Sequence, residues 1–200
     1  VSSAASDVYK RQMHVYRTAG VLAGLGLSYG GATTEEDVVG LIFADQGIDL
    51  SKISGDIKIV SYLQGYGDTT TDEINAAIQA APEAFISVGM ATTFFTQQLN
   101  AAGIEFSDID SFTKSNGEAI TNGKLVYLAG KYSSSVGPAF ALVMNAINGN
   151  VIRDAQGNAV SLSQNYQVAT DSETFDKFYK NDNGDNPIYS RDTLDQIIGD

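Results

Sequence analysis

Strand-like and helix-like runs alternate along the middle of the chain, and this alternation constrains the fold more than any other feature. The runs "AFISVG" (84–89), "IEFSDID" (104–110) and "KLVYLAG" (124–130) are short, rich in β-branched or aromatic residues and bounded by turn residues. Between and after them, 91–103 and 135–148 show helical spacing. This pattern predicts an α/β fold, an open mostly parallel sheet with helices on both faces.

The first half of the chain is assigned from the same patterns. "DVVGLIFA" (37–44) and "IKIVSYL" (57–63) are β-branched runs and are predicted to be strands. The run from Val15 to Tyr29 is apolar at helical spacing and predicts a buried helix that contains glycines. A threonine followed by Asp72 and Glu73 predicts the start of another helix.

After residue 150 the character of the sequence changes. The segment 151–171 predicts a β-hairpin with its tip at 156–158. Two short helices are expected near 172–180 and 190–198.

The first twelve residues, "VSSAASDVYKRQ", do not fit the rest of the chain. They are small and polar, and "DVYKRQ" resembles the in-frame translation of a transposase adapter used in sequencing libraries. Residues 1–12 are therefore interpreted as a non-native scar and excluded from fold reasoning. We expect the native N-terminus, with any signal peptide or lipid anchor, to lie outside this sequence.

Charge and composition exclude several functions. The chain has 12 basic and 24 acidic residues, a net charge of -12, which repels phosphate and argues against a nucleic-acid partner. Cysteine is absent, which removes disulfides, thiolate nucleophiles and most zinc sites. His14 is the only histidine and has no second metal ligand at a suitable spacing, so neither a zinc site nor a serine-histidine triad is expected.

Nucleotide and calcium motifs are incomplete. "GLGLSYG" (24–30) places its third glycine one position later than G-x-G-x-x-G requires, and G-x-x-x-x-G-K-[ST] does not occur. "NDNGDN" (181–186) would put Tyr179 at the first position of a calcium loop, where an oxygen ligand is required. No cofactor and no metal are predicted.

Candidate ligand-binding residues follow the predicted strands, because ligands of open α/β sheets bind at the carboxyl ends of the strands. Asp108 and Asp110 end one strand two residues apart, so both side chains should project to the same side. They fit acceptors for ligand hydroxyls, and equally a solvated strand end. Lys131 and Tyr132 follow the next strand.

Three more candidates lie further towards the N-terminus. Met90 and Thr92 follow the strand 84–89, and Tyr66 follows 57–63, where its ring is suited to stacking on a ligand. The serines at 133–135, by contrast, are explained as caps of the next helix and need no phosphate chemistry.

The assembled pattern resembles the type I periplasmic (solute) binding proteins of ABC transporters. "KLVYLAGKYSSSVGPAFALVMNAINGN", followed by a hairpin and "QNYQVATDSETFDKFY", is similar to the strand and helix that complete the C-terminal lobe in that group. "YRTAGVLAGLGLSYG" looks like the "AGxLAG" segment of the basic-membrane-protein branch, which binds nucleosides; other branches bind sugars. The resemblance covers most of 15–198.

The resemblance implies a ligand-binding α/β lobe at 13–150, with the N-terminal lobe largely missing. It implies a hinge-crossing hairpin and C-terminal helices at 151–200. Asp110 matches the aspartate that the family places in the cleft, and Lys131 matches a polar residue after the following strand. The segment 89–93 matches a loop that faces the ligand.

The expected function is therefore that of an extracytoplasmic substrate-binding protein, present here in part. It would bind a small polar solute such as a sugar or nucleoside by hinge closure and deliver it to ABC permease subunits, without catalysis. The resemblance implies a periplasmic or cell-surface lipoprotein, held at the membrane only by the missing anchor. Two alternatives remain: the ligand-sensing domain of a lactose-repressor-like regulator, and a nucleotide-dependent enzyme with Lys131 in a phosphate site and Asp110 as a base.

Overall fold

The computed structural model describes residues 3–64, 69–132, 136–160, 165–183 and 189–198. The chain divides into two compact units, Val1–Glu105 and Phe106–Asp200. This division differs from the one predicted at residue 150, which rests on the family resemblance and stays a prediction.

The described part of unit 1 begins with a long helix that is followed by short elements. In chain order these are α1 (Ser3–Gly24), β1 (Ser28–Tyr29), α2 (Glu35–Ala44), a 3₁₀ turn (Leu50–Lys52), β2 (Ile53–Ser54), α3 (Thr71–Gln79), β3 (Ala84–Ile86), α4 (Ala91–Phe94) and α5 (Thr96–Ala102). Strands β1 and β2 pair antiparallel. Helix α1 includes part of the segment interpreted as a scar. The buried core of the unit joins α1, β1 and α2 and consists of Ala19, Leu22, Leu27, Tyr29, Val38, Val39 and Ile42.

The strand predicted at 37–44 is wrong, because this segment belongs to helix α2. The side chain of Thr34 caps the helix by accepting a hydrogen bond from the amide of Asp37 at 3.3 Å. Three acidic residues lie in the first turn, where their negative charges interact favourably with the positive end of the helix dipole. The buried side chains Val38, Val39 and Ile42 lie on one helical face. The run therefore forms a helix although its composition, rich in β-branched residues, is typical of a strand.

The strand predicted at 57–63 is also wrong. The structure describes this whole segment and assigns it no strand and no helix. Ile59 packs partly buried against the core of unit 1. A strand requires a neighbouring strand for its backbone hydrogen bonds, and a local pattern cannot supply that neighbour.

Two other predictions in unit 1 are confirmed, one with an interruption. Thr70 caps α3, as the threonine and acidic residues indicated. The helix predicted at 91–103 is broken at Phe95, whose backbone leaves the helical region, and so forms α4 and α5. Phe95 is buried while the neighbouring Phe94 is only partly buried, as adjacent positions on a helix require.

Unit 2 holds the strands that matter for the candidate site. Its elements are β4 (Glu105–Ser111), α6 (Lys114–Thr121), β5 (Leu125–Lys131), α7 (Val136–Ile147), β6 (Gln167–Ala169), α8 (Ser172–Asn183) and α9 (Arg191–Ile198). Strands β4 and β5 pair parallel, and β5 and β6 pair antiparallel. Helix α6 packs on β5 and on α8, and α8 packs on β6. The predicted fold class, α/β with an open mostly parallel sheet flanked by helices, is confirmed.

The predictions for the C-terminal part agree with the structure for the helices and for the tip of the hairpin, whereas Gln167 and Val168 of its predicted return arm pair with β5. Helices α7, α8 and α9 fall on the predicted segments. The turn of the predicted hairpin is present, since Arg153 and Ala159 form an antiparallel bridge and the amide of Asp154 donates to the carbonyl of Asn158 at 3.0 Å. Within the described ranges, no helix is both long and apolar enough to cross a bilayer.

Candidate functional site

Asp110 lies near the carboxyl end of β4, and both oxygens of its side chain accept hydrogen bonds. The amide of Ser111 donates to Oδ1 at 2.7 Å, and Nδ2 of Asn116 donates to Oδ2 at 3.1 Å. The carboxyl group is partly buried. A carboxylate with one donor on each oxygen keeps further lone pairs, so Asp110 can still accept hydrogen bonds from a ligand.

The local sequence explains why Asn116 reaches Asp110. Thr113 caps α6, and its hydroxyl accepts a hydrogen bond from the amide of Asn116 at 3.2 Å. This places Asn116 in the first turn of α6, directly after the strand end that carries Asp110. The side chain of Asn116 folds back over that end and also donates to the carbonyl of Ser111 at 2.8 Å.

Asp108 lies on the same face of the sheet as Asp110, as their spacing predicted. In the register of the two strands, Asp108 is opposite Leu128 and Asp110 is opposite Gly130. Asp108 is only 1% exposed, however, and its Oδ1 accepts from the amide of Ile109 at 2.9 Å. The alternative of a solvated strand end therefore does not apply to Asp108, which is buried.

Lys131 ends β5 and is exposed. It is opposite Ser111 in the register, one residue beyond the pair of Asp110 and Gly130. Because successive side chains of a strand alternate between faces, Lys131 and Asp110 leave the sheet on opposite faces. No ion pair joins these two described residues. A ligand in contact with both would have to lie across the carboxyl edge of the two strands.

Tyr132 lies within an aromatic cluster. Its ring centroid is 5.5 Å from that of Phe112 and 6.3 Å from that of Phe178. Phe175 continues the cluster on α8, with its centroid 5.8 Å from that of Phe112. Tyr132 is partly buried and so packs against α8, which leaves only part of its surface for a ligand.

The remaining candidates do not belong to this group. Met90 and Thr92 lie in unit 1, at the start of α4. Met90 has a positive φ of 64°, in the left-handed region that non-glycine residues rarely adopt. The carbonyl of Thr92 accepts a hydrogen bond from the hydroxyl of Thr96 at 2.8 Å. Tyr66 lies outside the described residues.

Unit 1 contains a cavity of its own, with a volume of about 740 Å³. Most of its lining is apolar and comes from α1, the segment 56–64 and the residues around β3, with Phe85 and Phe95 among its aromatic side chains. This volume lies within the range of about 300 to 1,000 Å³ that is usual for small-molecule sites. Neither Met90 nor Thr92 lines it.

His14 also lines this cavity. Burial, followed by the positive charge of Arg17, lowers the pKa of His14 and so favours the neutral imidazole. Among the described residues, no group of three or more histidine and acidic side chains is arranged to hold a metal ion.

Asn116 was not among the site residues predicted from the sequence. Thr113 shortly after a strand is a signal for a helix start, because threonine is a preferred N-cap residue. It does not reveal that the side-chain amide of Asn116 turns back to an aspartate of the preceding strand, because that contact depends on how the strand and helix are joined.

Comparison with models of protein families, with curated proteins and with solved structures finds no match for this chain.

Proposed function

We propose that this chain is the ligand-binding part of an extracytoplasmic substrate-binding protein of an ABC transporter. It binds a small polar solute with several hydroxyl groups, such as a sugar or a nucleoside, and catalyses no reaction. The solute is released to permease subunits at the membrane. Closure of a hinge around the solute favours the state that the permease recognises.

The observation that carries the proposal is the placement of Asp110 and Lys131 at the carboxyl ends of two neighbouring parallel strands. Such strands lie about 4.8 Å apart, so one solute can span both ends. The carboxylate of Asp110 accepts hydrogen bonds from hydroxyl groups, and the ammonium group of Lys131 donates them. A ligand site at this edge is the general rule for open α/β sheets.

Isothermal titration calorimetry against a panel of monosaccharides and nucleosides tests the proposal. We expect at least one of these solutes to bind. Asp110→Asn should weaken that binding about 10- to 150-fold, because a hydrogen bond to a charged group contributes about 1.5 to 3 kcal/mol. Lys131→Gln should weaken it about tenfold for the same reason.

The amino ends of the same two strands provide matched controls. Glu105 begins β4, and Lys124 directly precedes β5. Glu105→Gln and Lys124→Gln make the same chemical changes at the edge where no ligand is proposed, and they should leave the affinity within about twofold of the unchanged protein.

Failure of every tested sugar and nucleoside to bind would contradict the proposal, and so would three other results. Binding of a dinucleotide but of no sugar or nucleoside would favour an enzyme. Unchanged affinity in both Asp110→Asn and Lys131→Gln would remove the site. Turnover of a bound solute, detected as a new product by mass spectrometry, would exclude a role limited to binding.

A further inference from the structure

The side chain of Asn116 is completely buried, with an exposed fraction of 0%, although it is polar. Its Nδ2 makes two hydrogen bonds, to Oδ2 of Asp110 at 3.1 Å and to the carbonyl of Ser111 at 2.8 Å. Both acceptors belong to the end of β4. Both N–H groups of this buried amide therefore stabilise one strand end, since burying a donor is costly unless it is hydrogen-bonded, while its Oδ1 has no hydrogen-bond partner among the described residues.

The orientation of this amide is determined by its neighbours. If the amide were turned over, its oxygen would face the carboxylate of Asp110 and the carbonyl of Ser111, which are both acceptors. Only the observed orientation gives donors to both. The backbone of Asn116 is held as well, by its amide hydrogen bond to the cap residue Thr113.

Asp110 is consequently held at two points. Its Oδ1 is held by the backbone of Ser111, which moves with the strand, and its Oδ2 is held by Asn116, which moves with α6. Two donors from two elements define the plane of the carboxylate, because rotation about the side-chain bonds would break one of the contacts. Without Asn116, the amide of Ser111 would be the one donor to the side chain of Asp110 left among the described residues.

We infer that Asn116 is a positioning residue for ligand binding: it holds the Asp110 carboxylate in a single orientation before the solute arrives. This inference rests on the proposed function of Asp110. The effect of Asn116 on affinity comes from preorganisation, since a carboxylate that is already ordered loses less conformational entropy when a solute binds.

A double-mutant cycle on solute affinity tests the inference. In the background that keeps Asp110, Asn116→Ala should weaken solute binding about tenfold. In the Asp110→Asn background it should change the affinity by less than about twofold, because the group that Asn116 positions has lost its charge. A role limited to stability would weaken binding equally in both backgrounds, and that result would overturn the inference.

Asn122→Ala is the matched control, since Asn122 is the exposed residue that caps the other end of the same helix. It should leave affinity unchanged in both backgrounds. If Asn116→Ala does not fold, Asn116→Ser takes its place in the same cycle, because a hydroxyl can still donate to one of the two acceptors.

A measurement without ligand separates this inference from the proposed function. The three-bond coupling between the backbone nitrogen and the Cγ carbon of Asp110, measured by NMR, reports whether the side chain occupies one rotamer. We expect a value for a single rotamer in the unchanged protein and an averaged value in Asn116→Ala. Should no solute bind, the proposed function fails, and this coupling still decides whether Asn116 holds the Asp110 carboxylate in one orientation; an unchanged value in Asn116→Ala would overturn that.

Discussion

The ring of Phe112 lies against the backbone of Gly130, so closely that a Cβ atom at Gly130 would be 2.5 Å from Cε1 of the ring. Phe112 is 2% exposed, and its ring is central to the aromatic cluster that also contains Tyr132. Gly130 immediately precedes Lys131 and is opposite Asp110 in the register. The absence of a side chain at Gly130 therefore determines how the aromatic cluster can approach the candidate site.

Gly130→Ala should lower the free energy of unfolding by about 1 to 3 kcal/mol, as overpacked core positions do. Urea denaturation followed by circular dichroism measures this. In a Phe112→Leu background the same substitution should cost clearly less, because the overlapping ring is gone. Equal costs in the two backgrounds would show that the Phe112 ring is not the cause.

Substitution by alanine at two helical glycines should change the stability of the protein in opposite directions. At Gly117 of α6, an added Cβ would be 2.5 Å from Cε1 of Phe175, so Gly117→Ala should destabilise the protein by about 1 to 3 kcal/mol. At Gly40 of α2, nothing lies within 4 Å of the added atom, so Gly40→Ala should stabilise it by about 0.5 to 1 kcal/mol. Thermal unfolding of both variants checks the pair. Stabilisation by both substitutions would contradict the close packing of α6 on α8.

The buried hydroxyl of Tyr29 joins three parts of unit 1. It donates to Oδ2 of Asp45 at 2.7 Å and accepts from the amide of Asp49 at 3.0 Å. Lys52 completes the group with an ion pair of 2.6 Å to Asp45. Tyr29→Phe should therefore destabilise the protein by about 1 to 3 kcal/mol, since it leaves the amide of Asp49 without its acceptor. Tyr16→Phe, at an exposed tyrosine, is the control and should stay within about 0.5 kcal/mol.

Tyr29→Phe should also change the pKa of Asp45. The ion pair with Lys52, followed by the hydrogen bond from Tyr29, lowers the pKa of Asp45 below its ordinary value. In Tyr29→Phe the pKa of Asp45 should rise towards that value, because one of the two contacts is lost. NMR titration of the Asp45 carboxyl carbon measures it, and an unchanged pKa would contradict the hydrogen bond.

The start of α3 predicts a dependence of stability on pH. Hydrogen bonds from the amide and then from the hydroxyl of Thr70 lower the pKa of Glu73. A lowered pKa contributes stability above the ordinary value of the group, and this contribution is lost as the pH falls through the lowered value. Thr70→Ala should cost about 0.5 to 2 kcal/mol at pH 7, and the difference from the unchanged protein should narrow as the pH falls below about 4.

Urea unfolding at pH 7 and pH 3 measures this difference. Thr71→Ala changes the neighbouring threonine, which is exposed and is the first residue of the helix rather than its cap. It should leave stability within about 0.5 kcal/mol at both pH values. If the stability lost in Thr70→Ala were the same at both pH values, the cap would not be coupled to the titration of Glu73, and the prediction would be wrong.

Sequence patterns predicted those elements whose signals are local. The cap of α3 and the segments of β4, β5 and α7 lie within one or two residues of their predicted positions. In each of them a cap, a turn residue or a regular apolar spacing lies next to the element it defines. The predicted spacing of Asp108 and Asp110 on one face of the strand follows from the same local geometry and holds.

The failures lie where a local pattern permits two structures. The run 37–44 is short, apolar and β-branched, and such a run fits a strand or a buried helix equally well until its packing partner is known. Its partner is α1, which buries Val38 and Ile42 on one helical face. The run 57–63 has strand composition but pairs with no strand in the described structure. Composition expresses a preference, and pairing decides whether that preference is realised.

Some features of the candidate site likewise follow from local sequence, and others depend on tertiary structure. The amino-acid sequence by itself determined the α/β class, the acidic charge and the presence of Asp110 and Lys131 at strand ends, because these depend on composition and on periods of a few residues. The tertiary structure alone decided that Asp108 is enclosed, that Lys131 and Asp110 leave opposite faces, and that Asn116 holds Asp110. These facts depend on the register of β4 with β5 and on the return of α6 over the strand end, which no local pattern encodes.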